Sequence, residues 1–195
     1  MNYQKAEKFV LERLRSELPA DVFYHGPQHT IDAIAAATEF ALAEGVSGDD
    51  LVIIKTAALY HDVGFIYSHT DNERLGVKMA RDTLGLFGYK RREVDIIGNI
   101  IMATVYPYNP ETLFEKIICD ADLEYLGTGR FYEYSELLRL EIEVQGKKFT
   151  EAEWLDFEIE FLKNHTFFTQ SCIETRGPLK QKHLEELLQK RKDLN

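Results

Sequence analysis

The chain has 195 residues, 45% of them hydrophobic and 12% aromatic, enough for one well-packed domain and short for two. Its formal net charge of −10 excludes the basic footprint that neutralises a nucleic-acid backbone, so polymeric DNA or RNA is not an expected partner. Two widely separated cysteines, Cys119 and Cys172, with no CxxC pair, predict reduced core thiols rather than a zinc-thiolate site or a disulfide framework.

The first twenty residues are charged throughout and lack the apolar core and cleavage site of a secretory signal. No stretch elsewhere approaches a membrane span, so a cytoplasmic protein with no membrane partner is expected. Residues 6–18 set Val10, Leu11, Leu14 and Leu18 at helical spacing and stop at Pro19. Pro27 suits the first position of a second helix, which continues through the Ala-rich run 31–43 to Glu44 and Gly45. Ser47, Gly48, Asp49 and Asp50 open a third, with carboxylates at the positive end of its dipole. Residues 71–87 and 93–104 predict two more, and Val94, Ile97 and Ile101 share a core-facing stripe on the latter. A break at residues 106–110 precedes a helix over 111–126. Further helices are predicted over 132–144, 150–164 and 178–192, punctuated by Gly146 and by Gly177 with Pro178. β signals are nearly absent, so the expected fold is all-α: one helical bundle over residues 1–195, with a motif-bearing core at about 24–127 and the remaining helices completing it.

The chemistry concentrates on the third helix. His61 and Asp62 stand side by side at the end of the apolar run 51–65, where two polar groups are costly to bury unless something satisfies them. A divalent cation does so by taking an imidazole nitrogen and a carboxylate oxygen. His61 follows Ile54 by seven and Ala57 by four and so points inward. His29 shares a face with Ala33, Ala36 and Phe40, with Asp32 one turn on as a candidate to orient its ring. Asp122 follows Phe114 and Ile118 in steps of four and lies nearer the apolar stripe than Asp120, which faces the side of Lys116 and Glu124 and is assigned a supporting or capping role. Candidate ligands on three apolar helices make the layout of a metal site inside a bundle.

These residues resemble the HD superfamily of metal-dependent phosphohydrolases, whose pattern is a histidine, an HD pair and a distal aspartate on a helical core; here His29, His61, Asp62 and Asp122 match it. The resemblance implies one divalent metal ion and hydrolysis of a small phosphate ester, often a nucleotide. The segment from Tyr24 to Thr30 is also similar to the His-x3-His signature of cyclic-nucleotide phosphodiesterases, which would make His25 the general acid. Two-metal HD proteins add two histidines between the HD pair and the last aspartate, and only His69 lies in that interval, so a single ion is favoured over the di-iron pair of an oxygenase. His69 and Glu73, four apart, are expected to face one another and to serve a second ion or the substrate.

The implied chemistry is attack by a metal-activated water, with Asp62 or Asp122 helping to deprotonate it and His25 protonating the leaving oxygen, imidazole being the side chain that titrates near neutrality. Lys78, Arg81 and Arg130 are the candidate phosphate contacts. Mixed imidazole and carboxylate donors suit Mn, Fe, Co, Ni, Zn or Mg. His165 is expected to be packed or on the surface, His183 to face solvent, and the aromatic set Tyr106, Tyr108, Phe131, Tyr132 and Tyr134 to pack in the core rather than wall a base pocket. A metal- and nucleotide-binding sensor without turnover is the alternative function. Whether copies of the chain associate stays open, because periodicity does not separate an apolar interface from core.

Overall fold

The computed structural model describes residues 1–194 and contains, among them, helices and no strand. Helix α1 (Tyr3–Glu17) starts where the Asn2 side chain accepts from the Lys5 amide and stops before Pro19, burying Ala6, Val10 and Leu14. Helix α2 (Pro27–Ala43) has Pro27 in its first turn and closes at Glu44, with Gly45 at φ 81°. Helix α3 (Gly48–Tyr60) buries Ile53, Ile54, Ala57, Ala58 and Leu59 on more than one face, because α1, α2, α5 and α6 all pack on it. It is the central rod of the bundle.

The chain leaves α3 through His61 and Asp62 into a 3-10 turn at Val63–Ile66, and α4 (Asn72–Thr83) crosses back over it. Two glycines permit this crossing. A Cβ on Gly64 would stand 1.9 Å from the Asn72 carbonyl oxygen, and one on Gly76 would stand 2.6 Å from that of Tyr60. Any side chain at either place would push α4 off the end of α3, where the HD pair sits.

A second 3-10 turn, Leu84–Phe87, ends α4, and α5 (Arg91–Met102) follows. Helix α6 (Leu113–Asp122) begins in a reciprocal cap between Thr112 and Glu115 and ends at Asp122, passing into a 3-10 turn at Glu124–Gly127. Helices α7 (Phe131–Val144), α8 (Glu151–Asn164) and α9 (Gln170–Asp193) complete one continuous apolar core. No helix among the described residues is long and apolar enough to cross a membrane.

The last helix corrects the sequence reading. It starts at Gln170, eight residues before the expected start, capped by the Thr169 hydroxyl, and runs through Gly177 and Pro178. A proline inside a helix removes one N–H and crowds the carbonyl four residues back. That carbonyl belongs to exposed Glu174, where water can replace the lost bond. His183, expected in solvent, is buried: its Nδ1 donates to the Leu126 carbonyl at 2.9 Å and its ring stacks on Phe131. Asp120 is also fully buried. It accepts from the Phe168 and Thr169 amides at 2.8 and 2.7 Å and from the Thr169 hydroxyl at 2.6 Å, clamping α6 to the start of α9.

Candidate metal centre

Helices α2, α3 and α6 converge on four side chains. Single donor atoms from His29, His61, Asp62 and Asp122 all lie within 4.8 Å of one another. The His29 Nε2 stands 3.1 Å from Asp62 Oδ2 and 3.2 Å from Asp122 Oδ1; His61 Nε2 stands 3.0 and 3.4 Å from the same two oxygens. The two imidazole nitrogens are 3.3 Å apart. His61 is set by its own helix, because its Nδ1 donates to the Ala58 carbonyl at 2.8 Å, which leaves the Nε2 lone pair directed at the cluster.

The electrostatics are those of a site that wants a cation. Burial on its own pulls the His29 imidazole toward its neutral form, but the Asp122 and Asp62 carboxylates beside it outweigh it and lift its pKa to about 9. His61 is likewise raised against burial by Asp62 and Asp122. Burial alone would raise both carboxyls, yet His61 holds Asp62, and His29 with His61 holds Asp122, below the usual carboxylate range. Asp62 Oδ2 is shielded from solvent and has no well-aligned hydrogen bond, although two imidazole nitrogens crowd it. Two nitrogens and two carboxylate oxygens, one of them orphaned, fit a divalent cation in charge and donor type.

Residues 28–124 match the family model of the HD domain. The chain belongs to the HD superfamily. Among solved structures it is similar to Bacillus subtilis YpgQ, crystallised in complex with ADP, with a TM-score of 0.70 and 17% identity over 98% of this chain and 97% of that one. At that identity the likeness establishes the fold. No curated protein sequence matches significantly. All four residues of the cluster lie within the matched segment.

Around this HD cluster the structure arranges the remaining candidates unevenly. His25 lies beside it on the loop before α2, its ring 6.0 Å from that of His29 and stacked on Phe65 at 4.0 Å. Its Nδ1 pairs with Glu141 of α7. Glu141 is a residue that local sequence reading passes over: it is 2% exposed and its Oε2 accepts from the amides of Phe23, Tyr24 and His25 at 2.8, 2.8 and 3.2 Å. Burial would raise its carboxyl, but the His25 ring and those amides outweigh it and hold it low, so Glu141 is an anion gripping the whole loop. One signal was available: Phe131, Tyr134, Leu138 and Glu141 share a heptad-like stripe, and a lone carboxylate at its end needs a partner.

His69 takes partners other than Glu73. His69 pairs with Asp21 at 3.3 Å and with Gln145 at 2.9 Å, away from the four-residue cluster, while half-buried Glu73 has its carboxyl raised by burial and then by the charges of Asp62 and Asp122. Lys78 is exposed and bound to Asp82 at 2.7 Å, and Arg81 lines a surface pocket with Tyr89 and Arg91; neither is brought to the cluster. Arg130 pairs with Asp32 and Glu133 and lies over Tyr134. Asp32 is thus spent on Arg130, Tyr134 and Gln28 and does not orient His29.

Neutral donors complete the surroundings. Tyr108 donates to Asp122 Oδ2 at 3.2 Å, and Asn72 Nδ2 donates to Asp62 Oδ1 at 3.4 Å. Burial, with the charge of Asp122 beside it, keeps Tyr108 protonated and so a donor. The Tyr24 ring packs 4.7 Å from that of His29. The aromatic set divides: Phe131 and Tyr134 are core and Tyr132 packs on His183, whereas Tyr106 stays exposed.

Proposed function

We propose that this HD protein hydrolyses a small phosphate ester, a nucleotide in particular, with one divalent cation held by His29, His61, Asp62 and Asp122. The observation that carries the reading is the cluster itself, with the orphaned Asp62 oxygen at its centre. A cation bound there supplies Lewis acidity, acidifying water and polarising a phosphoryl oxygen. The protein's own part is to place protons. Asp62 or Asp122 accepts the proton of the attacking water. Tyr108 and Asn72 restrain these carboxylates so that one oxygen of each stays turned to the imidazoles.

His25 is the donor to the leaving oxygen. Glu141 fixes its Nδ1 side, which leaves Nε2 as the free edge of the ring, and Phe65 fixes its plane. Arg130, held between Asp32 and Glu133, is the phosphate contact among the three cations considered, because Asp32 lies one turn from His29. The nucleotide assignment is supported by the family and agrees with the ADP bound to the structurally similar Bacillus subtilis protein.

The test is elemental analysis of the purified chain beside a His61→Ala/Asp62→Ala variant, followed by a metal-supplemented panel of nucleoside mono-, di- and cyclic phosphates. About one ion per chain, lost in the variant together with hydrolysis, is the expected result. Metal with no turnover of any ester would replace the enzyme by a nucleotide-binding sensor. No metal after supplementation would sink the site.

A further inference from the structure

A pocket of about 280 Å³ opens where α8 passes into α9, and it shares no lining residue with the metal cluster. At the roughly 30 Å³ that a water takes up in the liquid, it has room for about nine non-hydrogen atoms. Its apolar wall is made by Leu162, Phe167, Ile173 and Leu184, and Ile173 is 44% exposed. Gly177 adds a bare stretch to the same wall, because a Cβ there would meet no other heavy atom within 4 Å. The same glycine spares Pro178 the crowding that a Cβ on the preceding residue brings, so α9 continues while its wall stays open.

Lys180 is the charged member of that wall. Its ammonium donates to the His165 carbonyl oxygen and stands 5.8 Å from the centre of the Phe167 ring. Both partners line the same pocket, which places the ammonium on the pocket side of α9. An ammonium carries three donors, and the carbonyl takes one. In a chain with 33 acidic residues, half-buried Lys180 has no carboxylate partner; burial lowers its pKa and no opposite charge acts against it. The lining residues include no other cation and no acid. The His165 ring adds no polar edge, since it packs 6.0 Å from Phe161 and 4.7 Å from Phe167 with both nitrogens shielded from solvent.

A partly desolvated ammonium beside an apolar wall is one half of an ion pair, and the chemistry of the other half follows from the surroundings. It carries a negative charge, and a single one, because one cation is there to meet it. A phosphate would bring a second charge without a partner and would leave four apolar side chains uncovered. An alkyl chain ending in a carboxylate meets both needs: its oxygens accept from the ammonium and its carbons cover the wall.

We propose that this pocket binds a small aliphatic monocarboxylate, with its head on Lys180 and its chain against Leu162, Phe167, Ile173 and Leu184. The site stands apart from the metal centre and does not depend on whether the cluster turns over a phosphate ester.

The test uses the full chain with ¹³C-labelled isoleucine and leucine methyl groups, titrated with octanoate below its micelle concentration. Octanamide, of the same length but uncharged, and inorganic phosphate are titrated in parallel. The Ile173 methyl signal is assigned by its loss in Ile173→Val. Octanoate is expected to move it saturably, with half-saturation at about 0.1–1 mM, and octanamide to bind at least about tenfold more weakly. Inorganic phosphate is expected to leave it in place. Lys180→Met, which keeps the stem of the side chain, is expected to weaken octanoate about tenfold, and Lys180→Arg to keep its affinity within about threefold. Equal binding of octanoate and octanamide by the wild type would reduce the pocket to an apolar crevice and overturn the proposal without recourse to any variant. A saturable shift with phosphate as large as that with octanoate, a shift with octanoate that never saturates, or unchanged octanoate affinity in Lys180→Met would overturn it as well.

Discussion

Two buried histidine environments in this protein reach opposite electrostatic ends. At the junction of α2, α3 and α6, burial works against protonation of His29 and His61 and loses, because two carboxylates sit within about a hydrogen bond of both rings. Between α8 and α9, burial works on His165 with no carboxylate in contact and wins, with Lys180 adding to it. The difference teaches that depth alone says little about what a buried imidazole does. The company of carboxylates makes a ligand, and their absence makes a neutral group with hydrogen bonds to give.

The contrast breaks most visibly at the cluster. His61→Ala is expected to abolish metal retention and to lower turnover by more than about 100-fold. In chelator it removes the positive partner of Asp62 and Asp122, at a cost of about 3–5 kcal/mol measured by urea unfolding. A metal-free His61→Ala chain as stable as the metal-free wild type would show that the carboxylates do not depend on the imidazoles.

Gly64→Ala tests the frame rather than the ligands. A methyl group placed against the Asn72 carbonyl must displace the turn that carries Asp62, so a loss of about 1–3 kcal/mol in unfolding free energy is expected, with weaker metal binding by calorimetry. Unchanged metal affinity would mean that Asp62 is held from elsewhere.

Glu141→Gln separates the proton donor from the metal. The amide oxygen can still accept from the loop N–H groups, but the charge behind His25 is gone. Metal content should stay at that of the wild type while kcat falls about 10- to 100-fold. A loss of metal instead would make Glu141 a scaffold for α2 alone.

A pH dependence sharpens the other side. His165 has a folded pKa depressed below its unfolded value, so below about pH 6.5 the unfolded chain takes up a proton that the folded chain refuses until about pH 3. This contribution leaves stability untouched above that window and erodes it as pH falls through it, by up to about 1.4 kcal/mol per pH unit. His165→Phe should flatten the curve between pH 6 and about 4 relative to wild type. Parallel curves would show that the ring is protonated in the fold.

The cluster was legible because its ligand types stand on apolar faces at helical spacing: His61 after Ile54 and Ala57, Asp122 after Phe114 and Ile118. The helix wheel separated Asp122 from Asp120 and gave Asp120 a supporting or capping role without its partners, which the start of α9 supplies from residues nearly fifty positions away. No local pattern contains that. The same holds for Glu141 and the loop it grips, more than a hundred residues apart, and for Asp32, which pairs with Arg130 instead of His29. The all-α class and the order of the elements followed from periodicity, and the misplaced start of α9 came from reading Gly177 and Pro178 as the opening of the helix when the cap lies upstream at Thr169.

The clamp made by Asp120 bears on how much of this chain is needed. Asp120 and Asp122 stand two residues apart on α6, one closing the last helix against the bundle and the other completing the cluster. Cutting the chain near residue 124, where the family match stops, would strip a fully buried carboxylate of its three donors at the doorstep of a ligand. The final third is thus a structural tenant of the centre it does not ligate, and a minimal HD fragment of this protein is not a smaller version of it.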